Sequence, residues 1–206
     1  VSVTTSETQE RARASRKDTG GARRAELVHA AGEVLDDLGY TATTVELIAA
    51  RAGTSRPTFY AYFRSKDEVL LALIDRVADD LEAAQFLDGI EDLPVSEVIA
   101  ATTRAYADAV FTHGGLVALF DSLAGVREDV AERWGRVSRR THRRYARYLA
   151  ETPPGTVDMC APPDRLVQVL NDAIHHGAKR VARGTDDERE QFIADLIRIT
   201  ERLVGL

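Results

Sequence analysis

Apolar residues recur at helical spacing along almost the whole chain, and no stretch shows the period-two series that strands require, so the 206 residues predict an all-α protein of about nine helices. Leu27, Val28, Ala31, Leu35 and Leu38 share one face of a first helix over 22–38, with Gly39 as its left-handed stop. Val45, Ile48, Ala49 and Ala52 follow at i, i+3, i+4, i+7 behind a capping-box pair, Thr43 and Glu46, and Gly53 closes this second, short helix. Ser55 is placed to cap a third short helix that tolerates Pro57 in its first turn and turns Phe59 and Phe63 inward. Ser65 with Glu68 opens a long helix to 86 carrying Leu70, Leu73, Ile74, Val77 and Leu81. Further helices are expected over 96–112, 115–124, 126–151, 164–184 and 186–205, the last started by Thr185 and Glu188, with a proline-rich loop over 152–163. Residues 1–20 are polar and rich in Ser, Thr and Arg, which predicts a disordered basic arm ahead of a small domain over 21–66 and a larger one over 67–206.

A hydrophobic share of 44 % is enough to build a core, while the net charge of −6 argues against a generally cationic nucleic-acid binder. Any DNA site must therefore come from local charge. Residues 1–66 hold 10 Lys and Arg against 8 Asp and Glu, whereas 67–206 hold 17 against 25, so the positive excess sits in the first part. The lone Cys160 excludes an internal disulfide and multi-cysteine metal patterns, fits a reducing cytosol, and reads as a buried or half-buried thiol. No stretch approaches a membrane span and the polar opening lacks the apolar centre of a secretory signal, so a cytoplasmic location is expected. Val1, in a chain whose one methionine is Met159, is expected to stand at an alternative start codon.

Two short helices joined by a tight glycine turn, the second exposing polar side chains, have the form of a helix-turn-helix. The major groove admits one α-helix, whose N-terminal side chains must offer hydrogen bonds or methyl groups to base edges. Here these are Arg56, Pro57 and Thr58, with Arg56 suited to a guanine and Thr58 to a thymine methyl, while Tyr60 and Tyr62 are positioned for phosphates. Thr43 or Thr44 at a helix N-terminus and Lys66 at the start of the long helix suit the sugar-phosphate chain. Arg11, Arg13, Arg16, Lys17, Arg23 and Arg24 supply a basic run able to follow the duplex into the minor groove.

The run TTVELIAARAGTSRPTFYAYFRSKDEVLLALI resembles the signature of the TetR family, in which a capping Thr, an Ile-Ala pair, an Ala-Gly turn, a Phe-Tyr-x-Tyr-Phe core and a Ser-Lys-x-Glu helix start follow at fixed spacing. The likeness covers 22–75, and TSRPTFYAYF is most similar to regulators resembling the mycobacterial repressor of ethionamide activation. Carried over by position, it implies DNA contacts by Thr44, Ser55, Arg56, Pro57, Thr58, Tyr60, Tyr62 and Lys66. It also implies a homodimeric repressor on a palindromic operator, released by an effector bound within the larger domain.

For that pocket the candidates are Phe86, Phe111, Leu119, Phe120, Trp134, Tyr148 and Asn171, where one amide among apolar walls would orient a small hydrophobic effector. For the dimer, Leu166, Leu170, Ala173, Gly177 and Val181 form one stripe, and Phe192, Leu196, Ile199 and Leu203 another, beside Ile193, Ile197, Thr200 and Val204. The arginines from Arg133 to Arg147 read as the solvated face of a surface helix, and the adjacent His175 and His176 diverge too far for a metal pair, so neither a metal nor a cofactor is expected. An enzyme fares badly: there is no Gly-rich phosphate loop, G-x-S-x-G, H-E-x-x-H or CxxC. An activator, a regulator without an effector, and an adaptor that has lost DNA binding remain as rivals.

Overall fold

The computed structural model describes the backbone from residue 5 except at 85, 87, 88 and 90–92, and side chains from residue 20 except at those positions and at 137, 138 and 141. Nine helices and no strand occur among the described residues: α1 (Thr5–Ala42), α2 (Val45–Arg51), α3 (Arg56–Tyr62), α4 (Lys66–Ala83), α5 (Val95–Thr112), α6 (Gly114–Ala124), α7 (Glu128–Ala150), α8 (Pro163–Val181) and α9 (Asp186–Val204). They divide into two compact units, 1–73 and 74–206, so the first two turns of α4 belong with α1 to α3.

α1 begins well before residue 22, because its polar opening can be helical without any apolar stripe to announce it. Helical geometry breaks at Gly39 (φ 73°, ψ 174°), where the apolar spacing placed the stop. In this unit Leu27, Val28, Ala31, Leu35, Ile48, Phe59, Phe63, Leu70 and Leu73 are buried together with Val34 and Val69. Leu38, assigned by spacing to the same face, is instead 49 % exposed. Arg51 ties the end of α2 to α1 through Asp37 at 2.9 Å.

In the larger unit α8 packs against α5, α7 and α9, and α6 against α7. One core cluster joins Ile99, Leu149, Leu166, Val167, Leu170 and Val204, and a second joins Ala107, Ile174, Ile193 and Leu196. Thr185 and Glu188 form the full reciprocal capping box that the sequence predicts. At α4 the box is only half made: Ser65 accepts from the Glu68 N–H at 3.2 Å, but the Glu68 carboxylate accepts from the Arg64 N–H at 2.6 Å, one residue early. Cys160 is exposed, a correction to its expected burial: it sits in the loop ahead of α8, whose backbone is held by Cys160 N–H donating to the Leu203 carbonyl at 3.2 Å. Among the described residues no helix is long and apolar enough to cross a membrane, and no group of three or more His, Cys, Asp or Glu could hold a metal ion.

Candidate nucleic-acid interface and effector cavity

Local chemistry fixes the two short helices. Thr44, in extended conformation, caps α2 by accepting from the Leu47 N–H at 3.3 Å. The chain then turns at Gly53 (φ 62°), whose N–H donates to the Ala50 carbonyl at 3.0 Å while Thr54 N–H donates to Ala49 at 2.9 Å. A side chain at this left-handed position would cost about 1–2 kcal/mol, so glycine suits the turn. Ser55 caps α3 by accepting from the Thr58 N–H at 3.3 Å, and its hydroxyl lies 2.9 Å from that of Thr58. Phe59 and Phe63, both buried with ring centroids 5.7 Å apart, fasten α3 from beneath. The opposite side leaves Thr44, Ser55, Arg56, Pro57 and Tyr60 exposed and Thr58 and Tyr62 half-buried.

Arg56 bridges α3 to α2, with Nη1 3.0 Å from Glu46 Oε1 and Nη2 donating to the Tyr60 hydroxyl at 3.4 Å. The Tyr60 hydroxyl and the Glu46 carboxylate both raise the guanidinium's pKa, while a backbone hydrogen bond, with Arg56, holds Glu46 below its ordinary value. Both partners are more than half exposed, and such surface pairs contribute little, so Arg56 can exchange Glu46 for another acceptor. Tyr60 meets Phe59 edge-on at 5.6 Å yet is 45 % exposed, which lets one ring serve both core and surface. Arg23 pairs with Glu26 at 2.6 Å, and the Arg24 guanidinium lies 4.7 Å from the Phe63 ring centroid. Arg11, Arg13, Arg16 and Lys17 lie outside the residues whose side chains are described.

Two assignments change. Thr43 is 1 % exposed and its hydroxyl donates to the Gly39 carbonyl at 2.7 Å, so it closes the end of α1 and cannot face a phosphate; the cap and any phosphate contact fall to Thr44. Lys66 is also drawn inward, its Nζ donating to the Tyr40 and Thr43 carbonyls at 2.8 and 2.9 Å over the Tyr40 ring. These bonds satisfy carbonyls left open where α1 ends, making Lys66 a clamp on the helix-turn-helix scaffold.

Within the larger unit, α5, α7 and α8 enclose a cavity of about 90 Å³ lined by Val98, Thr102, Thr103, Tyr106, Arg144, Tyr145, Tyr148, Asn171 and Ile174. Of the seven pocket candidates it gathers Tyr148 and Asn171 only. Phe120 and Trp134 instead pack on each other at 5.4 Å, and the Trp134 indole N–H donates to Asp121 at 2.8 Å. Phe111 packs near Phe192, Leu119 lies half-buried on α6 away from the cavity, and Phe86 is 56 % exposed with the Arg144 guanidinium 3.4 Å from its ring centroid. These side chains are core or surface, since aromatic character marks packing as readily as a void.

Sequence reasoning missed Arg144 and Tyr145, although polar groups aligned with the apolar side of α7 were the available signal. Three cavity atoms are buried without a hydrogen-bond partner: Arg144 Nη1, Tyr145 Oη and Asn171 Nδ2. Burial drives the Tyr145 phenol well above its ordinary pKa; the nearby Thr102 hydroxyl opposes the shift, although the two do not meet hydrogen-bond geometry. Burial likewise pushes Tyr106 up to about 12. Beside this cavity lies a separate polar knot in which Asp121 accepts from Trp134 and Lys179 and lies 3.1 Å from His175 Nε2. Burial raises the Asp121 pKa, but hydrogen bonds from His175, Lys179 and Trp134 outweigh it and hold the carboxyl well below its usual range.

The expected dimer stripes are mostly interior. Leu166 and Leu170 are 3 % and Leu196 4 % exposed, all within the unit's own core clusters, and Ile193, Thr200 and Val204 are buried too. Gly177 does allow close approach, but to the chain's own Phe192: a Cβ there would lie 2.4 Å from that ring. Val181, Phe192 and Leu203 are half-buried, leaving Ala173 and Ile199 exposed, joined by Val169, which spacing alone had passed over.

The model of bacterial regulatory proteins of the tetR family matches residues 27–73. The HTH-type transcriptional regulator EthR of Mycobacterium tuberculosis is 26 % identical over 164 residues, 78 % of this chain and 76 % of that protein. The HTH-type transcriptional activator FasR of Mycolicibacterium smegmatis is 48 % identical over 59 residues, 29 % of this chain and 27 % of its own length. Among solved structures, a TetR-like transcriptional regulator from Rhodococcus sp. RHA1 superposes with a TM-score of 0.70 at 23 % identity, covering 87 % of this chain and 94 % of the other. A tetR-family transcriptional regulator from Streptomyces coelicolor gives 0.73 at 22 % identity, covering 89 % and 80 %.

Proposed function

We propose that this chain, a DNA-binding transcriptional regulator of the TetR family, is a cytoplasmic homodimeric repressor, released from a palindromic operator when a small effector fills the cavity of the larger unit. The observation that carries the reading is α3 itself: Ser55 caps it, Phe59 and Phe63 hold it from below, and Arg56, Pro57, Thr58 and Tyr60 occupy the side left free. Arg56 takes a guanine edge and Thr58 a thymine methyl, while Thr44, Ser55, Tyr60, Tyr62, Arg23 and Arg24 hold the sugar-phosphate chain.

The second copy packs on the outward sides of α8 and α9, where Val169, Ala173 and Ile199 stay uncovered within one chain. Two-fold symmetry then places half-sites about 34–36 Å apart, or a multiple of that spacing. Release requires a coupling of about 1–3 kcal/mol between effector and DNA. One observation favours a second reading, activation: a relative matching this helix-turn-helix carries the name of an activator.

Footprinting on the DNA flanking the chain's own gene, with and without candidate effectors, tests the proposal. A protected palindrome that an effector unmasks is expected; a purified protein that protects no duplex from that neighbourhood would overturn it. Transcription from the same promoter, which falls on adding protein if it represses and rises if it activates, separates the two signs.

A further inference from the structure

We propose that the cavity of the larger unit is a receptor for a small monocarboxylate, its carboxylate taken by Arg144 and Asn171 and its apolar body held among Val98, Tyr106, Tyr148 and Ile174. This deepens, and rests on, the reading of that cavity as the effector site.

Asn171 is 7 % exposed and its Nδ2 has no hydrogen-bond partner; Arg144 Nη1 and the Tyr145 hydroxyl are likewise buried and unpartnered. Buried polar groups are almost always satisfied, so three such atoms on residues lining one cavity point to a ligand that bonds to them. The amide and guanidinium nitrogens can only donate, and the phenol can donate as well, so the occupant must accept. Among the described residues no acidic side chain lines the cavity to neutralise Arg144. A carboxylate supplies both the acceptor oxygens and the charge, an alcohol or amide supplies one neutral oxygen, and an amine would meet the guanidinium with like charge. A volume of about 90 Å³ suits a compact acid and not a long-chain one.

The outside of the cavity agrees. Arg144 also borders an open groove with Phe86, Arg140, Arg143 and Arg147, and among the described residues one acid lines it, Glu82, 3.1 Å from Arg140. Four arginines against that one acid leave the groove positive, which favours anions over cations beside Arg144.

Calorimetric titration of the purified full chain with phenylacetate and hexanoate, each against its primary amide, tests this without DNA. At least one acid should bind once per chain and about 10- to 100-fold more tightly than its amide, the range expected for charge-assisted hydrogen bonds. Arg144→Gln should erase that preference while leaving amide binding in place, Asn171→Asp should abolish acid binding, and Tyr145→Phe should weaken it less. Amides binding as tightly as acids, neither acid binding, or a preference that survives Arg144→Gln would overturn the proposal. If Arg144→Gln fails to fold, the acid-to-amide ratio of the unaltered chain decides. A mobility shift on the chain's own promoter DNA separates the two readings: acid binding without any DNA complex sinks the regulator and spares the receptor, whereas a DNA complex with no acid preference does the reverse.

Discussion

The two units keep their chemistry in opposite places. In the first, the groups proposed to meet DNA stand on the surface of a small scaffold, and Arg56 is held by Glu46 and Tyr60, partners that exposure makes easy to leave. In the second they are interior: Arg144, Tyr145 and Asn171 face a cavity with buried atoms unpaired. An exposed arginine loses little by letting go of one partner, so it suits reversible reading of a duplex. A buried donor loses much by having none, so it makes the interior selective about what enters.

That contrast is sharpened first by Phe59→Ala, which removes a fully buried ring from beneath α3 and should cost about 3–5 kcal/mol of stability. Chemical unfolding should register the loss, and DNA binding should vanish while calorimetric ligand binding survives. Lys66→Ala comes next, at about 1.5–3 kcal/mol, because it leaves two carbonyls at the end of α1 without their charged donor. It should lower the melting temperature even without DNA; unchanged melting with weakened DNA binding would return Lys66 to the phosphate chain.

Asp121→Asn probes the interior through pH. Because the folded carboxyl titrates below the unfolded one, the stability that Asp121 contributes is fully present above the ordinary carboxylate range and drains away as pH falls through the folded value. The stability gap between the two proteins should be about 1.5–3 kcal/mol at neutral pH, shrink below about pH 4 and close only in strong acid. A gap independent of pH, followed by denaturant titration, would contradict the hydrogen-bonded carboxylate. Smallest of these, Glu46→Gln should tighten binding to all duplexes slightly, since it frees Arg56 from an exposed pair and removes a negative charge from the face proposed to meet DNA. Fluorescence anisotropy on unrelated duplexes would detect it, and weaker binding would show that Glu46 orients Arg56.

The sequence was legible where structure is decided within a few residues. Ser55 capping α3, Pro57 in its first turn, the Gly53 turn and the Thr185–Glu188 box each depend on neighbours three or four positions away. Adjacent hydroxyls defeat that logic: Thr43 and Thr44 look equivalent until the chain's exit from Gly39 buries one and leaves the other to cap α2. Leu166, Leu170 and Leu196 show a second limit, because the most apolar stripe of an amphipathic helix is claimed by its own core and an interface must use the mixed stripe beside it. The cavity shows a third. It exists where α5, α7 and α8 fail to fill space together, which no single helix records, and its walls are Val98, Thr103 and Ile174 as much as any aromatic residue.

The central claim, that α3 reads bases through Arg56, is tested most directly by replacing guanines of the footprinted site one at a time with 7-deazaguanine, which lacks the N7 acceptor that a bidentate arginine uses. One guanine in each half-site should weaken binding by the original chain about tenfold and leave Arg56→Ala indifferent. Were no guanine sensitive, or were Arg56→Ala to keep the same sensitivity, α3 would not be reading the groove through this residue.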